Sequence, residues 1–175
     1  MMTDFPELKR YVLDVGGGSN PVGHIVLDIS IPSHKRQEVE YVIGDACYLP
    51  FRSNSFSIIV SHGAINFFQN EMRFLKDVRR VLANKGFLIL SALTYYSFVI
   101  NFFYYLKSNP LGALRLILNF LRRRYRWYTL KGLTNKLSRN GFIILRACPN
   151  VTIPWRPTKT PHNILVIAVN IHISK

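Results

Sequence analysis

The sequence predicts an α/β fold: a mostly parallel sheet with helices on both faces. Two observations predict it. Short apolar runs of strand length recur at 11–15, 25–28, 41–45, 56–60 and 87–90, several ending in an acid or a turn cluster. Helix-period segments alternate with the later ones, as in a sheet whose strands are joined by covering helices.

The first run, Tyr11-Val12-Leu13-Asp14-Val15, breaks into Gly16-Gly17-Gly18, which let the backbone turn sharply and approach a ligand. Ile25-Val26-Leu27-Asp28 is a neighbouring strand with its carboxylate at the C-terminal edge, where open α/β sheets bind ligands. A dinucleotide site needs G-x-G-x-x-G opening a helix, with an acid ~20 residues on. Gly16 and Gly18 fit, but Pro21 takes the third glycine position and Asp28 follows Gly18 by only ten residues. A ligand with a ribose and no phosphate, such as S-adenosylmethionine, suits that spacing better. On this stretch alone, a glycine turn without any ligand stays equally open.

Ser30 to Glu40 reads as a loop or short helix, and Tyr41-Val42-Ile43-Gly44-Asp45 as a third strand ending in an acid. Ala46 to Phe51 leads off that strand end, and Arg52-Ser53-Asn54-Ser55 is a turn cluster. Phe56 to Val60 is a fourth strand, followed by Ser61-His62-Gly63-Ala64. Asn70 can cap a helix carrying Met72, Leu75, Val78 and Leu82 on one face, closed by Asn84-Lys85-Gly86. Phe87 to Leu90 is a fifth strand. Thr129 is an N-cap for a helix through Leu133 and Leu137, ended by Asn140-Gly141. Phe142 to Leu145 is a strand, Pro149 to His162 a proline-rich loop, and Ile164 to Ile171 the final strand.

Residues 95–128 differ. The first half is crowded with aromatics, among them Tyr95, Tyr96, Phe98, Phe102 and Phe103. The second half reads as an amphipathic helix over 111–128, with Leu111, Leu114, Ile117, Leu118, Leu121, Tyr125 and Tyr128 on one face and Arg115, Asn119, Arg122 and Arg126 on the other. It suits a cover for the domain's own core, a lid over a site, or a membrane interface.

Composition bounds the function. With 175 residues, 49% of them hydrophobic, the chain is one domain with a real core and not a disordered segment. Cys47 and Cys148 make neither a disulfide framework nor a zinc site, so no metal is expected. The N-terminus carries acids and no apolar core, unlike a signal peptide, and the apolar stretch 95–106 is shorter than the ~20 residues a bilayer needs. A cytoplasmic location is the expectation. Charge is unevenly placed: residues 1–77 hold 7 Lys/Arg and 9 Asp/Glu, a net −2, and residues 78–175 hold 16 Lys/Arg and no acid, a net +16. That asymmetry suits a polyanionic partner, nucleic acid or an anionic membrane surface, although a general basic bias would also produce it.

Six stretches taken in order resemble the class I S-adenosylmethionine-dependent methyltransferases, in particular the type-11 family. They are V-L-D-V-G-G-G at 12–18, V-L-D at 26–28, G-D-A-C-Y-L-P-F at 44–51, F-S-I-I-V-S-H at 56–62, F-L-K-D-V-R-R-V-L-A-N-K-G-F-L-I-L at 74–90 and Y-T-L-K-G-L-T-N-K-L-S-R-N-G-F at 128–142. The resemblance implies one Rossmann-like domain over residues 1–175. Its seven-stranded sheet would have the order 3-2-1-4-5-7-6 with the last strand antiparallel, and residues 95–128 would form a helical, lid-like insertion. It also implies roles toward S-adenosylmethionine. Gly16, Gly17 and Gly18 pass against its methionine and ribose part, and Asp14 holds that loop or reaches the amino group. Asp28 takes both ribose hydroxyls, since a carboxylate is acceptor-only. Asp45 accepts from the adenine amino group beside the Ala46 N–H, Ile29 and Leu49 sandwich the ring, and Ser61 and His62 lie next to the methionine end.

Plainer roles compete: Asp14 as a turn cap, Asp45 as a strand-end acid, His62 as a structural hydrogen-bonding residue. The chain departs from the family in its short first connection (Ser19-Asn20-Pro21), in Ser57 where an acid is common, and in having only about ten residues before the first strand. Closure of the site then falls to residues 95–128. Methyl transfer needs mainly orientation, and an acid–base group only if the acceptor must lose a proton. His62, Tyr95 and Tyr96 are the catalytic candidates. Three functions follow: methylation of a small or lipid-like acceptor, methylation of RNA or another nucleic acid gripped by the basic half, or a non-catalytic cofactor-binding subunit. A homodimer through 95–128 is a further expectation.

Overall fold

The computed structural model describes residues 11–122, 126–151 and 163–171. The seven strands are β1 (Val12–Val15), β2 (Ile25–Asp28), β3 (Glu40–Ile43), β4 (Phe56–His62), β5 (Leu82–Leu93), β6 (Phe142–Val151) and β7 (Asn163–Asn170). They form one sheet in the order β3-β2-β1-β4-β5-β7-β6. All pairings from β3 to β5 are parallel, and β7 runs antiparallel to both β5 and β6. Both the order and the single antiparallel strand are those expected.

Leu13, Asp14 and Val15 are all buried, as are Ile59, Val60 and Ser61. Successive strand residues point to opposite faces, so consecutive burial means that both faces of β1 and β4 are covered. The edge strand β3 is far more open, with Ile43 exposed. Helix α1 (Glu71–Val81) begins at Asn70, whose side chain accepts from the Arg73 N–H at 3.0 Å, and buries Phe74, Leu75 and Val78. The later helix Leu130–Arg139 begins at Thr129, whose hydroxyl accepts from the Gly132 N–H, and buries Leu133 and Leu137. Both caps are the predicted ones.

Between them lie two helices, the second standing where a longer helix over 111–128 was expected. They are α2 (Tyr95–Ser108) and α3 (Pro110–Leu121), which makes the Leu130–Arg139 helix α4. The side chain of Asn109 accepts from the Gly112 N–H at 3.0 Å and so starts α3. Tyr128 is not on that helix face: it is buried and makes an isolated parallel bridge to Thr94. Tyr125 and 152–162, most of the expected proline-rich loop, lie outside the described residues. Strand β5 starts at Leu82, earlier than expected, and the left-handed backbone within 84–86 falls on Lys85 (φ 62°), not on Gly86. Strand β6 runs on to Val151 and so takes in Pro149, which was expected to open the loop. Among the described residues, no helix is long and apolar enough to cross a membrane.

Candidate functional site

The parallel strands end on one edge, and there a cavity of about 600 Å³ opens. Its wall comes from the segments that follow β1, β2, β3 and β4: Gly16, Asp28 with Ile29, Gly44 to Ala46, and His62 to Ala64. This is the place that strand order reverses, since β1 lies between β2 and β4.

The glycine loop is held by its flanking acids. Asp14 is 2% exposed, and its Oδ2 accepts from the Val22 N–H at 3.0 Å, clamping the far end of the loop back on β1. Asp14 does not line the cavity, so of its two expected roles the structure displays the loop-holding one. Gly16 has φ 75° and donates its N–H to Leu27 O at 2.8 Å. A Cβ at Gly16 would sit 2.4 Å from the Ala64 Cβ, so the absent side chain lets the loop after β1 close on the turn after β4. A Cβ at Gly17 would meet the Asp14 carboxylate at 2.7 Å. Gly16 alone of the three glycines lines the cavity.

Asp28 accepts from the Gly18 N–H at 3.1 Å through Oδ2 and from the Ser30 N–H at 3.5 Å through Oδ1. A carboxylate offers about four lone-pair positions, so two remain, enough for a pair of adjacent hydroxyls. Ile29 beside it is 78% exposed at the rim. Asp45 uses Oδ1 to accept from the Cys47 N–H at 2.8 Å, and the Ala46 N–H lies next to it on the cavity lining. An acceptor and a donor thus stand side by side on the wall.

Leu49 and Ser61 are not at the cavity. Leu49 is buried in the core, with its N–H donating to Asp77 Oδ2 at 2.7 Å, and the Ser61 hydroxyl donates to Val15 O at 3.0 Å. His62 lines the cavity, and its Nδ1 lies 2.6 Å from the Ser91 hydroxyl oxygen, which also accepts from the Gly63 N–H. Tyr95 is exposed at the start of α2 and away from the lining; the side chain of Tyr96 lies outside the described residues. Among the described residues, none of α2 or α3 lines the cavity. Its closing wall is instead Ala64, Phe67, Phe68 and Gln69, around a 3₁₀ turn over Ala64–Asn66.

Sequence reading missed that aromatic wall, because Phe67-Phe68 sits in no periodic pattern. It also missed the clamp behind Asp45. Asp77 holds the Leu49 N–H, and Arg80 donates to Leu49 O at 2.9 Å and Phe51 O at 2.7 Å while bonding Asp77. The helix-face pattern placed both residues on α1 but carried no sign of their loop partners. Near the wall, Glu71 receives hydrogen bonds from the Tyr128 hydroxyl and the Lys136 ammonium. Burial would raise the Glu71 carboxyl, but those two partners outweigh it and hold it below its ordinary range. Burial, and then Glu71 itself, push the Tyr128 hydroxyl far up, so it stays neutral.

Comparison with known proteins bears on the fold and on residues 26–90. The fold is shared with solved methyltransferases: an S-adenosylmethionine-dependent methyltransferase from Methanosarcina mazei matches with a TM-score of 0.65 at 18% identity, over 97% of this chain and 99% of that one. The phosphoethanolamine N-methyltransferase 2 of Haemonchus contortus, solved with S-adenosyl-L-methionine, matches with a TM-score of 0.64 at 14% identity, over 93% of this chain and 49% of that one. Residues 26–90 match the family model described as "Methyltransferase domain", which carries the type-11 resemblance through β2 to β5. A demethylmenaquinone methyltransferase of Thermotoga maritima is 34% identical over 65 residues, 37% of this chain and 28% of that protein's length.

Proposed function

We propose that this chain binds S-adenosylmethionine in the cavity and transfers its methyl group to a small, apolar or lipid-like acceptor. The observation that carries the reading is the pair of carboxylates, Asp28 and Asp45, at successive strand ends on one cavity wall. The donor set fits the cofactor. Asp28 has two acceptor positions left for the ribose hydroxyls, and Asp45 Oδ2 with the Ala46 N–H matches an adenine edge. Gly16 keeps the wall clear where a Cβ would collide with Ala64.

When bound, the cofactor supplies an electrophilic methyl on a sulfonium. The chain's own residues orient and shield. Phe67 and Phe68 supply an aromatic wall that keeps water out and suits a cation, and Leu93 and Ile29 extend it as apolar surface. Orientation of this kind supplies ~7–11 kcal/mol without a catalytic side chain. Where the acceptor must lose a proton, His62 is the group in place. The contact between Nδ1 and the Ser91 hydroxyl fixes the orientation of the ring at the cavity wall.

The apolar wall supports a small apolar or lipid-like acceptor, as does similarity over residues in common with a protein named for demethylmenaquinone. The excess of basic residues after position 77 favours a second reading, transfer to nucleic acid. Incubation with S-adenosylmethionine labelled in the methyl group, against a lipid extract, a polar small-molecule extract and total RNA, separates them. Label in an organic-soluble product supports the proposal, label in a polar small molecule keeps methyl transfer but overturns the apolar acceptor, and label only in RNA selects the second reading. Cofactor binding without label in any fraction indicates a subunit that works through a partner.

A further inference from the structure

Helices α2 and α3 pack mainly on each other, as a hairpin. Ala113 is buried between them, and a Cβ at Gly112 would meet the Tyr105 ring at 3.1 Å. The outer surface of this hairpin is strongly apolar. Phe103 is 62% exposed and Leu111 78%, and Leu106, Leu114, Leu118 and Leu121 are exposed with them. So large a set of exposed apolar side chains on one element marks an interaction surface. The cations of the same element are Lys107, Arg115 and Arg122, and no acid occurs anywhere after Asp77.

We infer that the α2–α3 hairpin docks the protein on an anionic lipid bilayer, lying in the headgroup region without crossing it. The two helices have 14 and 12 residues, too short to span, and their mixture of Leu, Phe and Tyr with basic residues is that of an interfacial element. Charge selects the occupant. A second copy would bring two sets of cations together with no acid from the same half to offset them, whereas anionic headgroups complement them. Nucleic acid would satisfy Lys107 and Arg115 but leave Leu106, Leu111 and Leu114 in water.

The root of the hairpin is tied to the cavity rim. Leu93 lines the cavity directly before α2 and donates its N–H to Asn66 Oδ1 at 2.9 Å. After α3, Arg126 donates its N–H to Asn66 O at 2.8 Å and its guanidinium to Gln69 O at 2.6 Å, and Gln69 also lines the cavity. Trp127 packs on Phe98 with ring centres 5.3 Å apart. Docking of the hairpin therefore brings the cavity mouth to the bilayer. That consequence rests on the methyl-transfer reading; the docking itself does not.

The test is flotation of the full chain with vesicles of phosphatidylcholine alone and with a third phosphatidylglycerol, at low and high salt, beside a cofactor titration. At least tenfold stronger binding to the anionic vesicles, weakened by salt, is expected. A Leu106→Ser, Leu111→Ser, Leu114→Ser variant should lose at least tenfold in that binding, and so should Lys107→Glu with Arg115→Glu, each with unchanged cofactor affinity. Wild-type chain left in the soluble fraction with both vesicles overturns the inference, whether or not it binds cofactor. A concentration-dependent dimer dispersed by the serine variant overturns it in favour of a second copy. Salt-sensitive RNA binding that outcompetes the vesicles overturns it in favour of nucleic acid.

Discussion

Replacing Asp28 by asparagine keeps the side chain's size and removes its charge and part of its accepting capacity. The carboxylate already takes the Gly18 and Ser30 N–H groups, and at the cavity lining it has two acceptor positions left. The amide has one oxygen and an NH₂, so it cannot both hold the Gly18 N–H and accept two hydroxyls. One or two charge-assisted hydrogen bonds are lost, at ~1.5–3 kcal/mol each. A loss of about 3 kcal/mol is roughly a hundredfold in Kd, at tenfold per ~1.4 kcal/mol. Calorimetric titration with S-adenosylmethionine and with S-adenosylhomocysteine measures it, with thermal unfolding run in parallel. Asp45→Asn removes a single acceptor facing the ligand and should cost less, roughly tenfold. Should Asp28→Asn keep the wild-type Tm and still bind within threefold of wild type, the ribose assignment fails.

Other expectations follow from the same geometry. Gly16→Ala and Gly18→Ala both force an alanine to positive φ, at about 1–2 kcal/mol, but only Gly16 also meets Ala64 at 2.4 Å. Gly16→Ala should therefore lower Tm and cofactor affinity more than Gly18→Ala, and the opposite ranking would contradict the wall described for Gly16. His62→Asn should leave cofactor Kd within threefold and lower kcat about a hundredfold if the acceptor must lose a proton; an unchanged kcat makes His62 a wall residue only. Glu71 has a lowered folded pKa, so the stability it contributes is present above its unfolded value of about 4.5 and lost as pH falls through the folded value. Glu71→Gln should cost about 1–3 kcal/mol at pH 7, or roughly 2–12 °C in Tm, and should flatten the acid limb of a Tm-against-pH curve. A Tm curve that keeps its acid limb in the variant would remove Glu71 from that role.

Strand positions and helix caps were legible because they rest on local signals: apolar runs of strand length, Asn70 and Thr129 before helical periods, acids at strand ends; the strand order was implied only by the family resemblance. Four of the residues singled out, Gly16, Asp28, Asp45 and His62, come together from the ends of four different strands, with Ile29 and Ala46 next to them. Leu49 and Ser61 share the segments of Asp45 and His62 but turn into the core, where Asp77 and Val15 hold them. An alternation rule cannot place a side chain once the chain has left its strand, as at Leu49. The lid expectation failed to place α2 and α3 at the cavity for a related reason. Helical periodicity identifies an apolar face but not what covers it, and the turn at Asn109-Pro110 sets α3 beside α2 with Leu111, Leu114, Leu118 and Leu121 still exposed.

The most direct test of the account is titration of the wild-type chain with S-adenosylmethionine. One saturable site per chain is predicted, displaced by S-adenosylhomocysteine. At a hundredfold excess over Kd the bound form gains ~2.7 kcal/mol, which raises Tm by roughly 5–10 °C. A folded chain that shows neither heat nor any Tm shift with millimolar cofactor would contradict the assignment of Asp28 and Asp45, and with it the proposed activity.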